Sequence, residues 1–207
     1  EDVSTLDGAS RMVEAALDSF GRLDGVVNCA GIAVQKPLWE FEASDWDTVV
    51  AVHLRGHFAT TRAALPHLLA QRDGRLVFVS SSAAVSGPPQ GASYAAAKGG
   101  VLGFTWSASK ALREHGITVN SIMPGGHTRL VDNLSGDWGV KVRRPPPDLD
   151  PEVSQLRRDS ANVAPCVLYL LSDAAAGISG QLFACSGFTI SRLELPQPTA
   201  TIRSEGP

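Results

Sequence analysis

Two residues that lie four positions apart, Tyr94 and Lys98, have the chemistry of a proton-transfer site. In a helix this spacing places both side chains on one face. A phenol has a reference pKa of about 10, and a nearby ammonium group favours the phenolate and so lowers that pKa. With a lowered pKa, Tyr94 can exchange a proton with an alcohol or carbonyl oxygen near neutral pH. A lone YxxxK pattern is a weak signal, because chance produces it in many proteins.

A serine precedes this pair at the end of an apolar run. The run RLVFVS at 75–80 predicts a strand, and Ser81 follows it directly. A hydroxyl group at that strand end could hydrogen-bond the same substrate oxygen as Tyr94. The alternative interpretation of Ser80, Ser81 and Ser82 is turn chemistry at the end of a strand.

Two histidines, His53 and His57, are also four positions apart, in the segment HLRGH. Such a pair on one helical face is how a helix offers two imidazoles to a metal ion. No Asp, Glu or Cys at ligand spacing accompanies them, so we predict that no metal is bound here. The near-neutral pKa of histidine suits His53 to proton transfer, and a purely structural role is the open alternative. We interpret His57 as a packing or interface residue.

Helical and strand patterns alternate along the chain, and these elements must position the candidate residues. Apolar spacing predicts a first helix that stops at Gly21 and a long helix with Ser44 and Asp47 as its capping box, kinked or ended by Pro66. The other predicted elements are strands in DGVVNCAG, RLVFVS, ITVNSI and GQLFACSG, and helices over 93–115 and 162–171. Connections too long for hairpins indicate a parallel sheet with helices on both faces. The predicted fold is therefore α/β, a doubly wound sheet in three layers that binds ligands at the carboxyl ends of its strands.

The composition limits the class of protein. The 207 residues, 43% of them hydrophobic, suffice for one domain, placed at 1–190, followed by an extended tail over 191–207. The segment 127–160 has no periodicity and is interpreted as a functional loop or a mobile lid. The net charge of −3 comes from scattered charges without a basic stripe, so nucleic acid is not an expected partner. No apolar stretch reaches the roughly 20 residues of a membrane-spanning helix and no signal-peptide pattern occurs, so we predict a cytoplasmic protein.

Several motifs together resemble the short-chain dehydrogenase/reductase family in order and spacing. They are NCAG after the first strand, the Ser–Tyr–Lys set across the next loop and helix, and PG after the third strand. The resemblance covers Asp2 to about Gly187 and implies a Rossmann-like fold with NAD or NADP as cofactor. It implies that Tyr94 is the catalytic acid/base, that Lys98 lowers its pKa and holds the nicotinamide ribose, and that Ser81 orients the substrate carbonyl.

The same resemblance assigns other residues to the cofactor and to proton transfer. The family's NNAG motif appears here as NCAG, in which Ala30 and Gly31 would approach the cofactor and Asn28 would brace the central strands. His53 takes the position where most of the family has a helix Asn that holds a water for proton relay, which implies that His53 supports this relay through its backbone or its ring. The remaining implied cofactor contacts are Asp2 and Val3 beside the adenine ring, and Pro124, Gly125 and Thr128 in the loop that closes on the nicotinamide.

One family motif has no counterpart in this sequence. The glycine-rich TGxxxGxG turn, which seats the pyrophosphate at a helix N-terminus, does not occur in the 207 residues. We therefore interpret the chain as N-terminally truncated, expect it to bind a dinucleotide poorly on its own, and expect an unpaired edge on its first strand.

Two further segments narrow the resemblance. VHLRGHF and NVAPCVLYLLSDAAAGISGQLF resemble the branch with the (3R)-hydroxyacyl-CoA dehydrogenase domain of the peroxisomal multifunctional enzyme and its bacterial relatives. The implied activity is NAD(P)-dependent interconversion of a secondary alcohol and a ketone, with an acyl-CoA or related thioester as candidate substrate. An acyl-carrier-protein reductase and an inactive, non-catalytic fragment remain open alternatives. The resemblance also implies a homodimer or homotetramer.

Overall fold

The computed structural model describes residues 1–126, 128, 130, 156, 159–194, 196, 197 and 199. The strands within them are β1 (Gly25–Asn28), β2 (Gly74–Val79), β3 (Ile117–Gly125), β4 (Leu182–Ser186) and β5 (Thr189–Leu193). They form one sheet in the order β1-β2-β3-β4-β5. The first four strands are parallel, and β5 is antiparallel to β4. The parallel sheet predicted from the alternation of elements is confirmed.

Helices cover the sheet and connect its strands. The α-helices of the described residues are α1 (Leu6–Phe20), α2 (Ala43–Val50), α3 (Gly56–Gln71), α4 (Ala83–Ser86), α5 (Ala92–Leu112) and α6 (Ala164–Leu171). A π-helical turn, Ala51–Arg55, joins α2 to α3. Short 3-10 turns lie at Leu38–Glu40, Arg113–His115, Ser160–Val163 and Asp173–Ala175. No helix in the part of the chain that the structure describes is both long and apolar enough to cross a bilayer.

Helix α1 begins and ends at residues that the physics of helix ends favours. The Thr5 hydroxyl accepts a hydrogen bond from the Gly8 amide at 3.0 Å, which satisfies one of the free N–H groups of the first turn. The helix stops at Gly21, whose φ of 73° is the left-handed conformation that glycine adopts at low cost. The predicted stop at Gly21 is confirmed.

Two local predictions for the long helix are wrong. The capping box is formed by Glu42 and Asp45 rather than by Ser44 and Asp47. The Asp45 carboxylate accepts a hydrogen bond from the Glu42 amide at 3.0 Å, and this contact fixes the helix start two residues earlier than expected. Pro66 lies inside α3, which continues unbroken to Gln71. The proline is on the exposed face, where water can satisfy the carbonyl that loses its helical partner.

The central strand β2 is buried along its whole length and separates two apolar clusters. Leu76 and Phe78 pack with α1, α3 and α5 on one face of the sheet. Val77 and Val79 pack with α6 and β4 on the other face. Because alternate residues of a strand point to opposite faces, this division confirms the three-layer arrangement.

The two edges of the sheet differ from each other. Among the described strands β1 pairs only with β2, and Val27 on it is 39% exposed, as expected for an unpaired edge. At the other edge lies β5, which was not predicted. It extends the sheet to Leu193, beyond position 190, where the domain was predicted to end. All five of its residues are exposed, so its sequence lacks the apolar alternation that identifies a strand. The predicted functional loop 127–160 lies almost entirely outside the described residues.

Candidate functional site

The candidate residues lie at the carboxyl ends of three neighbouring parallel strands. The NCAG segment follows β1, and Ser81 follows β2 by two residues. Pro124 and Gly125 were expected in a loop, but they are the last residues of β3. They pair in register with Cys185 and Ser186 of β4. Because parallel strands end at one edge of the sheet, these segments meet there, in the usual ligand position of such folds.

Lys98 is held at this edge by the end of β2. Its Nζ donates a hydrogen bond to the Val79 carbonyl at 2.5 Å and lies 5.7 Å from the centre of the Tyr94 ring. The Ser80 hydroxyl donates to the Lys98 carbonyl at 2.9 Å, so α5 is tied to the strand end at the same level. The side chain is almost fully buried, and burial lowers the pKa of Lys98 to about 8. The predicted pairing of Tyr94 with Lys98 on one face of a helix is present.

Tyr94 has a different electrostatic balance from the one expected from sequence. Burial raises the pKa of its phenol, and a hydrogen bond with Ser81 opposes that change without cancelling it. The pKa of Tyr94 is therefore governed by burial and not by the expected lowering by Lys98, whose ammonium is hydrogen-bonded to the Val79 carbonyl. Ser81 also accepts a hydrogen bond from the Ala83 amide at 3.1 Å, which is the turn chemistry considered as its alternative role. The structure brings Ser81, Tyr94 and Lys98 together.

The two histidines of the HLRGH segment face different neighbours. The His53 ring is fully buried and stands edge-on to Tyr94, with 5.0 Å between ring centres. Burial, assisted by the positive charge of Lys98, lowers the pKa of His53 to about 4. The His57 ring stands edge-on to Phe78 at 5.3 Å, and burial lowers its pKa to about 3. His57 is thus a buried packing residue. Within the described ranges, no three His, Cys, Asp or Glu side chains form a group that could hold a metal.

Several predicted cofactor residues surround one cavity of about 260 Å³ beside β1. Val3, Asn28 and Ala30 line it together with apolar residues of α1. Asn28 is buried, and its Oδ1 accepts a hydrogen bond from the Thr60 hydroxyl of α3. Ala30 and the adjoining Gly31 are exposed, so their backbone is accessible to a ligand. The cavity thus unites the NCAG segment with Val3.

Other predicted cofactor residues lie apart from this cavity. Asp2 is exposed, and its carboxylate accepts hydrogen bonds from the amide and hydroxyl of Ser4 at 2.8 and 2.7 Å. Those two bonds lower the pKa of Asp2. The Asp2 carbonyl also accepts a hydrogen bond from the Thr5 amide, so Asp2 stabilises the turn that leads into α1. Gly125 adjoins Ser186 so closely that a Cβ atom would lie 2.7 Å from its side chain. Thr128 is exposed.

The main-chain partners of the site have no signal in the amino-acid sequence. The Val79 carbonyl holds Lys98, and the Ile32 backbone holds His53. Both contacts use atoms that every residue carries, so no residue type marks them. The π-helical turn that carries His53 also has no sequence signature.

Comparison with known proteins identifies the family. The family model for short chain dehydrogenases matches residues 1–136. This chain belongs to the short-chain dehydrogenase family. The predicted oxidoreductase class is therefore confirmed at the level of the family.

Curated relatives come from both branches considered from the sequence. The chain is 34% identical over 188 residues to a 3-oxoacyl-[acyl-carrier-protein] reductase of Synechocystis, covering 90% of this chain and 72% of the relative. It is 34% identical over 213 residues to the hydroxyacyl-CoA dehydrogenase ChsB1 of Mycobacterium tuberculosis, covering 99% of this chain and 64% of the relative. Peroxisomal multifunctional enzyme type 2 of the mouse is 34% identical over 189 residues, covering 91% of this chain and 24% of that enzyme.

Solved structures agree with the family. A short chain dehydrogenase from Mycobacterium avium matches with a TM-score of 0.82 and 28% identity, covering 99% of this chain and 66% of that one. Levodione reductase matches with a TM-score of 0.77 and 31% identity, covering 90% and 74%. The predicted Rossmann-like fold is confirmed.

Proposed function

We propose that this chain is the catalytic part of an NAD(P)-dependent oxidoreductase that interconverts a secondary alcohol and a ketone. The observation that carries the proposal is the convergence of Ser81, Tyr94 and Lys98 at one sheet edge, beside the exposed NCAG backbone. A tyrosine hydroxyl, a second hydroxyl hydrogen-bonded to it and a buried ammonium are the groups that acid/base catalysis at a carbonyl oxygen needs.

The residues around the strand ends fit part of a dinucleotide, and the glycine-rich turn that would seat its pyrophosphate does not occur in the 207 residues. Asn28 Nδ2 is buried beside the cavity and has no hydrogen-bond partner among the described residues, so it is available to donate a hydrogen bond to a ligand there. The residues that would contact the cofactor, as the family resemblance implies, are Asp2, Val3, Asn28, Ala30, Gly31, Tyr94, Lys98, Pro124, Gly125 and Thr128. When bound, the nicotinamide supplies or accepts a hydride. The choice between NAD and NADP stays open.

Proton transfer falls to this chain's own side chains. During reduction the Tyr94 hydroxyl gives its proton to the ketone oxygen, and during oxidation the phenolate takes one from the alcohol. Ser81 donates a hydrogen bond to the same oxygen. Lys98 provides positive charge near the phenol, and this charge favours the phenolate when the substrate alcohol must be deprotonated.

The substrate class is proposed from the relatives. A 3-hydroxyacyl thioester such as an acyl-CoA is supported by the relatives named hydroxyacyl-CoA dehydrogenase and peroxisomal multifunctional enzyme. An acyl-carrier-protein thioester is the second candidate, supported by the relatives named 3-oxoacyl-[acyl-carrier-protein] reductase. Cytoplasmic location and assembly as a homodimer or homotetramer stay predictions from the sequence.

The test is replacement of Tyr94 by Phe, with Tyr169→Phe as a matched control. Tyr169 is the other tyrosine of the chain and is 50% exposed on α6, away from the strand ends. With a 3-oxoacyl thioester and NADH or NADPH, Tyr94→Phe should lower kcat by at least about 100-fold, the usual contribution of a general acid. Both variants should bind the nucleotide as the parent protein does, and the control should keep the parent protein's activity. Turnover of the Tyr94→Phe protein at the control rate contradicts the mechanism.

A further inference from the structure

Two of the three cysteines form a buried pair on the face of the sheet that α6 covers. Cys166 belongs to α6 and Cys185 to β4, and both are free thiols within one apolar cluster. The Cys185 thiol donates a hydrogen bond to the Cys166 sulfur, so the two sulfur atoms are in direct contact. Contact between two thiols from separate elements is the starting arrangement for a disulfide that would join those elements.

The two sulfur atoms are not equivalent. The hydrogen bond from Cys185 lowers the pKa of the Cys166 thiol against the effect of burial, whereas that bond and burial both raise the pKa of the Cys185 thiol. Cys166 also lies in the first turn of α6, where free backbone N–H groups favour a negative charge. It is 4% exposed, whereas Cys185 is fully buried. Cys166 is therefore the sulfur that can both ionise and meet a small reagent.

The pair lies beside the strand ends of the candidate site. Cys185 pairs in register with Pro124 at the end of β3. Helix α6 follows directly on a 3-10 turn that begins at Ser160. A Cβ atom at Gly126, just after β3, would lie 2.8 Å from the Cα of Ser160, so this turn and the end of β3 are in close contact. A bond between Cys166 and Cys185 would therefore hold α6 and its preceding turn against the ends of β3 and β4.

We propose that Cys166 and Cys185 form a modification site, at which a hydroperoxide produces a reversible disulfide between α6 and β4. The Cys166 thiolate attacks one oxygen of hydrogen peroxide, the O–O bond breaks and hydroxide leaves, which converts Cys166 to a sulfenic acid. Cys185 then gives up its proton, and its sulfur attacks the Cys166 sulfur while the S–O bond breaks and water leaves. In sum, two protein thiols are oxidised to one disulfide and the peroxide is reduced to two molecules of water. The proposal does not depend on the proposed function.

The first test follows the new bond by mass spectrometry. Cys29 is exposed and would react with peroxide independently, so every protein in the test carries Cys29→Ser. Treated while folded with hydrogen peroxide, the protein should lose the mass of two hydrogen atoms and yield a linked peptide that contains Cys166 and Cys185. Dithiothreitol should reverse both changes. Thiols that stay reduced in millimolar peroxide, or that pass to sulfinic acid without a linked product, overturn the proposal.

The second test identifies the thiol that reacts first. Cys185→Ala removes the resolving thiol, so Cys166 should accumulate as a sulfenic acid that dimedone labels. Cys166→Ala should give little labelling at Cys185, because that thiol is fully buried and holds its proton. Val167→Ala is the matched control, since it trims a neighbour in the same cluster and keeps both thiols, and it should form the disulfide. Equal labelling of the two cysteine variants overturns the order of attack.

The third test measures whether the bond fits the fold. It closes a loop of about 20 residues, and a crosslink of that length should raise the Tm of a protein of this size by roughly 6–12 °C. Dithiothreitol should return the Tm to its starting value, and peroxide should not raise the Tm of the Cys166→Ala protein. A linked product with an unchanged or lower Tm would mean that the bond distorts α6 or β4, and it overturns the inference that these elements are placed to accept it.

Discussion

The buried ammonium of Lys98 should make the stability of this protein rise with pH between about pH 8 and 10.5. Its pKa falls from the usual 10.5 to about 8 in the folded protein because the side chain is removed from water. At 1.36 kcal/mol for each pKa unit, that difference corresponds to about 3 kcal/mol of unfolding free energy. Replacing Lys98 by Met removes the charge and keeps an unbranched side chain of similar length.

The free energy of unfolding should rise with pH, because the folded protein releases the Lys98 proton at a lower pH than the unfolded protein. Below about pH 8 the amine is charged in both states, and the folded state carries the whole cost of burying it. Between about pH 8 and 10.5 the folded amine is neutral while the unfolded amine still binds a proton. The free energy of unfolding therefore rises by about 3 kcal/mol across that range, and the Lys98→Met protein lacks this rise.

The assay is urea unfolding followed by circular dichroism at intervals from pH 7 to 11. Titration of other groups contributes equally to both proteins and cancels in the difference between them. Lys110→Met, at an exposed position in the last turn of α5, is the control and should follow the wild-type curve. Parallel curves for wild type and Lys98→Met would refute the reasoning, because they would mean that the ammonium is well solvated or that water enters the site.

Three shorter predictions address the rest of the chain. The pKa of His57 is about 3 in the folded protein and 6.5 when unfolded, so the wild type loses about 3 kcal/mol of unfolding free energy between pH 7 and 4.5. His57→Phe should abolish this loss. Urea unfolding of both proteins at pH 4.5 and 7 tests this, and equal losses in the two proteins contradict it. Val27→Lys should reduce self-association through the open edge of β1, measured by light scattering, and unchanged scattering argues that this edge does not associate. Gly21→Ala should lower stability by about 1–2 kcal/mol in urea, because φ is 73° there, and a neutral result would show that the helix end relaxes.

Sequence patterns predicted the parts of the fold that depend on side-chain periodicity. The strand 75–80 and the helix from Ser93 were found because their apolar residues repeat with the period of a buried strand or a helix face. Strand β5 was missed because its residues are all exposed. The capping box was misplaced because the S-x-x-D pattern at Ser44 competes with Glu42 two residues earlier, and only tertiary contact with Lys36 favours Asp45 as the partner.

The residues of the candidate site could be named from the sequence, but their pKa values could not be predicted from it. Ser81, Tyr94 and Lys98 were named because their residue types and spacing reflect the chemistry directly. Their protonation depends on burial and on backbone partners, and neither can be read from residue types. Burial outweighs the hydrogen bond from Ser81 and raises the pKa of Tyr94. The contact between the His53 ring and the Ile32 backbone likewise uses main-chain atoms that no residue type marks.

The electrostatics of the site favour one direction of proton transfer at neutral pH. Burial raises the pKa of Tyr94, so its phenol holds a proton and is ready to donate it to a ketone oxygen. Burial lowers the pKa of Lys98 to about 8, so most of the ammonium stays charged at pH 7 and loses its proton only above that pH. Deprotonating Tyr94 for alcohol oxidation therefore becomes easier as pH rises, while the positive charge that would stabilise the phenolate declines over the same range. For the proposed mechanism we therefore expect reduction to be favoured at pH 7, where the phenol is protonated, and oxidation to need a higher pH.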